Sequence, residues 1–278
     1  ERLAAAETAT EDAARVSALE GLGEDARASA EQLTRAGALL LAAGAHQEAL
    51  NLAEAFIQRF PRDVEAHLLA ARASTELRIG RRAEQALEQA TALAPEDLRP
   101  LLVLAELRER QGDLSGAISV LAQAYEKRPK DAEVAPRYGL LLSRNGQLEP
   151  AAEVLGAWTR RNDDPQALAE LAYVRYRQER LDEATALLRR ALRKAPDTSA
   201  AHYYLGAVLF RQGHISAAEK AYREADRLAP KEPRALTALC QVLAYAGRKD
   251  DLAEVKRSLE ARFPDKAKAL AAECAAPH

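Results

Sequence analysis

Few residues of the types that perform covalent chemistry are present, and they are scattered. Histidine occurs at positions 46, 67, 202, 214 and 278, and cysteine at 240 and 274. The histidines fall far apart in the chain, without the close spacing of metal ligands on one element. There is no G-x-x-x-x-G-K-[ST], no G-x-S-x-G, no H-E-x-x-H and no acidic calcium loop. Gly21-Leu22-Gly23 is too short for a dinucleotide fingerprint and follows no strand. The expectation is a chain with no catalytic centre, no metal and no cofactor. Recognition chemistry is better represented. Tyr173, Tyr176, Tyr203, Tyr204, Phe210 and Tyr245 are six of the thirteen aromatic residues, and all lie between positions 173 and 245. Tyrosine brings contact area at low entropic cost and a hydroxyl, which suits an interface. Arg110, Arg144, Arg177 and Arg211 recur at intervals of 34, 33 and 34 residues. Arginine grips carboxylates bidentately. Each set also has a plainer use: tyrosine packs between adjacent helices, and a basic residue in a last helical turn meets the helix dipole for about 0.3–1 kcal/mol.

The even phase of the arginines points to a repeated element that positions them. Prolines carry the same period. Pro61, Pro95 and Pro129 are 34 apart, as are Pro196, Pro230 and Pro264; between the triplets one residue is missing, Asp163 stands in the column and a proline has moved to Pro165. Counting each repeat from 31 residues before its proline, the eighth position is always small: Gly37, Ala71, Ala105, Gly139, Ala172, Gly206 and Cys240. Twelve residues on stand Ala49, Ala83, Ala117, Ala151, Ala184, Ala218 and Leu252, and seven further on Phe56, Ala90, Ala124, Trp158, Ala191, Ala225 and Leu259. Apolar residues between these columns follow a three-to-four spacing, as in Leu101, Leu104 and Leu107, which predicts two amphipathic helices per repeat. Small residues let antiparallel axes approach closely. Glycine ends the first helix, proline ends the second, and Asp63, Asp97 and Asp131 are placed to cap the helix that follows.

These columns resemble the tetratricopeptide repeat, a 34-residue helix–turn–helix unit. Residues 199–232 carry the pattern most fully, with Leu205, Gly206, Gly213, Ala218, Tyr222, Ala225 and Pro230 in place. The resemblance covers residues 30–266 as seven units: 30–63, 64–97, 98–131, 132–164, 165–198, 199–232 and 233–266. It implies an all-α fold, an α-solenoid in which antiparallel helix pairs stack into a right-handed superhelix. Residues 1–29 fall outside the columns and are expected to form a helix broken at Gly21-Leu22-Gly23, docked or frayed, or else the remnant of a partial repeat. Residues 267–278 are expected to supply a capping helix and tail, since an array must cover its last apolar face.

Several departures carry their own expectations. The fourth position, aromatic in the family, holds Leu33, His67, Leu101, Ala135, Leu168, His202 and Leu236. The second unit has Arg78-Ile79-Gly80 where a turn glycine is expected, which predicts longer helices there. Trp158 in an alanine column, with one residue missing, predicts a break in the array near residues 158–165. Cys240 and Cys274 are one repeat apart; packed axes 8–10 Å apart are too distant for a disulfide, so free thiols are expected unless the cap tilts inward.

The resemblance also implies a function. First helices line the concave face of such an array, so the tyrosines and arginines named above are the expected groove residues for a protein or peptide partner. Some family members bind chaperone tails through Lys, Asn, Asn, Lys and Arg; the matching positions here are Thr34, Ala38, Leu69, Arg99 and Val103, which argues against that ligand. The expected role is a non-catalytic scaffold or adaptor in bacterial envelope assembly, export or proteolysis. The alternative is a regulatory or localisation module cut from a longer enzyme or export protein, and assembly as a homo-oligomer remains open. Nine of 40 basic residues are Lys and the rest Arg, a bias that suits a GC-rich bacterial genome. A net charge of −2 excludes the basic excess that nucleic acid requires. No stretch of about 18 apolar residues is present to cross a membrane. The sequence starts at Glu1 and has no Met, so the expectation is a processed or excerpted chain with room upstream for a lipid anchor. The periplasm or outer membrane is the expected location, with the cytoplasm as the alternative.

Overall fold

The computed structural model describes residues 1–274, and every regular element among them is helical. The predicted tail 275–278, with His278, lies outside the described residues. The chain divides into two compact units, 1–134 and 135–278.

The first unit begins with α1 (Arg2–Thr8) and α2 (Asp12–Leu19). One helix was expected over this stretch. Two form because Thr8 turns its hydroxyl back onto the carbonyls of Ala4 and Ala5, and Ala9 is extended. The pair is docked, with Leu3, Ala6 and Leu19 buried in one core with Leu33, Ala36 and Phe56. Then follow α3 (Ala30–Ala42), α4 (His46–Arg59), α5 (Val64–Glu76), α6 (Gly80–Leu93), α7 (Arg99–Arg110) and α8 (Leu114–Lys127). Ser29 and Gln32 form a reciprocal capping box on α3, and Asp63 caps α5 by accepting the Glu65 N–H at 2.8 Å. Satisfying such orphan donors is worth about 1 kcal/mol per cap.

The second repeat corrects an expectation. Its helices are no longer than their neighbours, 13 and 14 residues. Arg78 itself takes the left-handed conformation, φ 59°, that Gly112 takes at φ 78° in the next repeat. Glu179 does the same at φ 59° in the second unit. The turn therefore closes at the usual length, against a conformational cost that glycine escapes.

The second unit contains α9 (Val134–Arg144), α10 (Leu148–Thr159), α11 (Pro165–Arg177), α12 (Leu181–Lys194), α13 (Ser199–Arg211), α14 (Ile215–Leu228), α15 (Arg234–Tyr245), α16 (Lys249–Arg262), a 3-10 turn at Pro264–Lys266 and α17 (Ala267–Glu273). The predicted break at 158–165 falls inside this unit, not at the division of the chain, which comes after Val134. The missing residue is absorbed locally. α10 stops at Thr159, which is buried, while Trp158 is only half-buried and donates its indole N–H to Asp164 at 3.3 Å. Asp164 in turn accepts backbone N–H groups from Gln166 and Ala167, capping α11.

The small column is buried at all seven positions. Its geometric reason is visible at Gly206, where an added Cβ would stand 2.8 Å from the Tyr222 ring. The histidines of the fourth column have a use that volume alone does not explain. His67 and His202 each donate from Nε2 to a proline carbonyl six residues back, Pro61 at 2.9 Å and Pro196 at 2.8 Å. Each bond ties a first helix to the proline turn that precedes it.

The cysteines also correct an expectation: Cys240 and Cys274 are joined in a disulfide. Their Cα atoms are 5.3 Å apart because α17 is not a further helix at full axial spacing. It is short and lies down on α15 and α16, placing Leu270 and Cys274 in a core with Leu239, Leu243, Val255 and Leu259. The predicted cap therefore both covers and is bonded to the last repeat.

Candidate functional site

First helices of the second unit build an open cleft of about 680 Å³. α11 contributes Glu170, Tyr173 and Arg177, at i, i+3 and i+7 on one face. The end of α9 contributes Ser143 and Arg144, α13 contributes Tyr203 and Tyr204, and α15 contributes Arg234 from its first turn.

The tyrosines form a continuous aromatic surface. Tyr173 and Tyr204 stack at 5.1 Å between centroids with 28° between planes, and Tyr203 meets Tyr204 edge-on at 5.7 Å. Tyr203 also packs edge-on to Tyr222 at 5.6 Å, which anchors the cluster to the core. Such aromatic pairs add about 0.5–1.5 kcal/mol each beyond their buried area. Guanidinium groups flank the rings. Arg177 donates to the Tyr173 hydroxyl at 2.8 Å and lies 5.7 Å from its ring centre; Arg234 lies 5.0 Å from that of Tyr203 and pairs with Glu232 at 3.1 Å.

Burial sets the protonation of the site. Desolvation raises Glu170 above the ordinary glutamate range, opposed by the charges of Arg144 and Arg234. Desolvation pushes Tyr204 up to about 12, with the Glu170 charge adding to the shift, and raises Tyr203 and Tyr222 as well.

The structure thus gathers Tyr173, Tyr203, Tyr204, Arg144 and Arg177 from the residues the sequence singled out. It places the others elsewhere. Arg110 belongs to the first unit and is held bidentately by Glu76 at 2.9 and 2.7 Å, with Glu106 at 2.8 Å. That bonding lowers Glu76 below the usual carboxylate range. Arg211 is held by both oxygens of Glu179 at 2.8 Å and lies 5.9 Å from the Tyr176 ring. Phe210 and Tyr245 meet edge-on at 5.3 Å away from the cleft lining, with Tyr245 74% exposed. Glu170, Arg234 and Ser143 were not anticipated. Glu170 was legible as one helical turn before Tyr173; Arg234 was not, because it comes from the opening turn of a different helix. A separate cavity of about 860 Å³ in the first unit, lined by Val16, Leu19, Leu40 and Leu52 among others, contains none of the expected groove residues. Among the described residues, no cluster of three His, Cys, Asp or Glu could hold a metal ion, and no helix is long and apolar enough to cross a membrane.

Comparison with known proteins agrees with the helix-pair architecture. Models of the tetratricopeptide repeat match residues 80–135, 108–172 and 170–233. The chain belongs to the tetratricopeptide repeat family. It is 30% identical over 172 residues to a TPR repeat-containing protein of Pseudomonas aeruginosa, a match covering 61% of this chain and 29% of that protein, so it spans less than a third of the relative's length. Among solved structures it resembles the APC/C hetero-tetramer Cut9–Hcn1, with a TM-score of 0.65 and 15% identity over 99% of this chain and 54% of that one. It also resembles PilW, a type IV pilus biogenesis factor, with a TM-score of 0.63 and 19% identity over 72% of this chain and 94% of that one. The expected all-α solenoid of helix pairs is the fold these structures share with it.

Proposed function

We propose that this chain is a non-catalytic interaction scaffold whose second unit holds a segment of a partner protein in the tyrosine–arginine cleft. One observation carries the proposal: four successive first helices bring three tyrosine rings and three guanidinium groups to one open surface. Tyrosine and arginine are the side chains that anchor protein interfaces. Their rings are already packed on each other, so a partner would not have to order them on binding.

The setting we propose is the bacterial envelope. The buried Cys240–Cys274 disulfide suits an oxidising compartment, and the Pseudomonas relative suits a bacterial source. A second reading, a recognition module within a longer protein, is favoured by the 29% share of that relative which the match covers.

The test is affinity capture from envelope and cytosolic extracts of the native source, comparing the intact chain with a Tyr203→Ala/Tyr204→Ala variant and a Tyr245→Ala control, all checked for unchanged helix content. The proposal expects envelope proteins retained by the chain and the control but lost from the double variant. The same captured set with all three would overturn it.

A further inference from the structure

The cavity of the first unit is a groove between two helix faces. α2 lines it with Asp12, Val16 and Glu20, at i, i+4 and i+8, and α4 lines it with Glu48, Leu52 and Ala55, at i, i+4 and i+7. Leu19 and Leu40 also line it, and both are buried. The groove has a cause in the sequence. α2 has 8 residues, whereas the second helices α4 and α6 have 14. The chain turns away at Gly21, φ 70°, and leans on the C-terminal half of α4, where a Cβ on Gly23 would stand 3.0 Å from that of Ala55. Arg59 holds this turn by donating to the carbonyls of Asp25, Ala26 and Ala28 at 2.9, 3.1 and 2.7 Å.

The rim of the groove is acidic. Asp12, Glu20, Glu24 and Glu48 all line it and all are exposed. Arg15 pairs with Asp12; among the described residues the three glutamates make no ion pair. Glu183, at the place in α12 that Glu48 holds in α4, is paired with both Arg175 and Arg180. The helix dipole accounts for Glu48, in the first turn of α4, but not for Glu20, the C-cap of α2, where a negative charge meets the negative end of a helix. Arg2 donates to the Glu20 carbonyl at 2.6 Å, not to its carboxylate.

We propose that this groove takes a two-turn stretch of basic amphipathic helix from a partner protein, with an apolar stripe on Val16, Leu52 and Ala55 and Lys or Arg beside it to meet Glu20, Glu24 and Glu48. The apolar walls favour a buried stripe, and three unpaired carboxylates select a cation and reject an acid. A helix suits a groove between two helix faces, because its residues at i, i+3 and i+4 enter between theirs. The length follows from the walls: Asp12 to Glu20 and Glu48 to Ala55 each run about 10–12 Å at about 1.5 Å per residue, which is two turns. The groove shares no residue with the tyrosine–arginine cleft, so it stands apart from the function proposed above.

The experiment uses the full chain and fluorescein-labelled synthetic peptides of about four helical turns with blocked ends. One carries Leu at i, i+3, i+4 and i+7 with Lys elsewhere, one has Glu for every Lys, and one is the first in shuffled order, without the stripe. Fluorescence anisotropy is expected to show tight binding of the first alone. Glu20→Gln/Glu24→Gln/Glu48→Gln, at exposed positions, should weaken it about tenfold or more, and so should Ala13→Arg, which sets a cation at the exposed edge of the groove. Raising salt from about 50 to about 300 mM should weaken it too, and bound peptide should slow amide exchange in α2 and α4. Tyr203→Ala/Tyr204→Ala should bind it unchanged. Loss of binding in that variant would place the peptide in the other cleft, overturning this proposal and leaving the scaffold function standing. Equal binding of the shuffled peptide, indifference to the triple glutamine change, or no binding at all would each overturn it. So would displacement of the peptide by tetraphenylphosphonium, which would make the groove a small-molecule site, or self-association that the triple change abolishes, which would make the occupant a second copy of this chain.

Discussion

Arg177 donates to the hydroxyl of Tyr173, one turn before it on the same helix, and among the described residues no carboxylate holds it. Arg211, at the same place on the next first helix, is closed off by Glu179. Both positions come from one repeated column, yet only one offers an unneutralised charge to a partner. The difference lies in a single turn residue, since Glu179 stands in the left-handed position that glycine fills in most of the other repeats.

The small column is expected to be steeply sensitive to volume. At Gly206 an added methyl would meet the Tyr222 ring at 2.8 Å, and that ring is packed against Tyr203. Gly206→Val should cost about 1–3 kcal/mol by overpacking, measured by urea unfolding, and should disturb the cleft through Tyr203. A variant as stable as the parent would mean that the helix pair opens freely there.

The disulfide is expected to fasten the end of the array. Cys274→Ser, or reduction of the parent, should lower stability by about 2–4 kcal/mol and speed amide exchange in α17 before α15. Thiol titration should find no free cysteine in the unreduced native chain. Two titratable thiols in the untreated protein would contradict the assignment.

Glu170 gives a pH test. Burial raises it in the folded state, so the native chain holds its proton at pH values where the unfolded chain has released it. Stability therefore falls as pH rises from the ordinary glutamate range through the raised value, and the loss is complete above it. Glu170→Gln should stabilise the chain by about 1 kcal/mol at pH 7, with the advantage vanishing below the ordinary glutamate range. An advantage independent of pH would contradict the role assigned to desolvation.

Much of this was legible because the repeat imposes one phase on many residues. The small column needs no side-chain detail: seven buried positions follow from spacing alone. The cleft was half legible for the same reason, since Tyr173, Tyr203, Tyr204, Arg144 and Arg177 share a face of first helices. What escaped depended on local competition. Trp158 was read as filling an alanine column, but α10 ended early and Thr159 took the place. Arg78 was read as lengthening its helices, but a non-glycine residue absorbed the left-handed turn. The cysteines were judged by the spacing of parallel repeats, which a short helix lying on its neighbours does not obey. Arg110 and Arg211 were read as groove residues without their partners because Glu76 and Glu179, each gripping its arginine with both oxygens, come from the preceding repeat, and column analysis treats each repeat alone.

The most direct test of the account is amide exchange on the chain with and without a purified partner that the intact chain captures and the Tyr203→Ala/Tyr204→Ala variant does not. The account predicts slowed exchange in α11 and α13, around residues 170–177 and 203–211, with α12 and α14 unchanged. Protection confined to α12 and α14, or to the first unit, would contradict it.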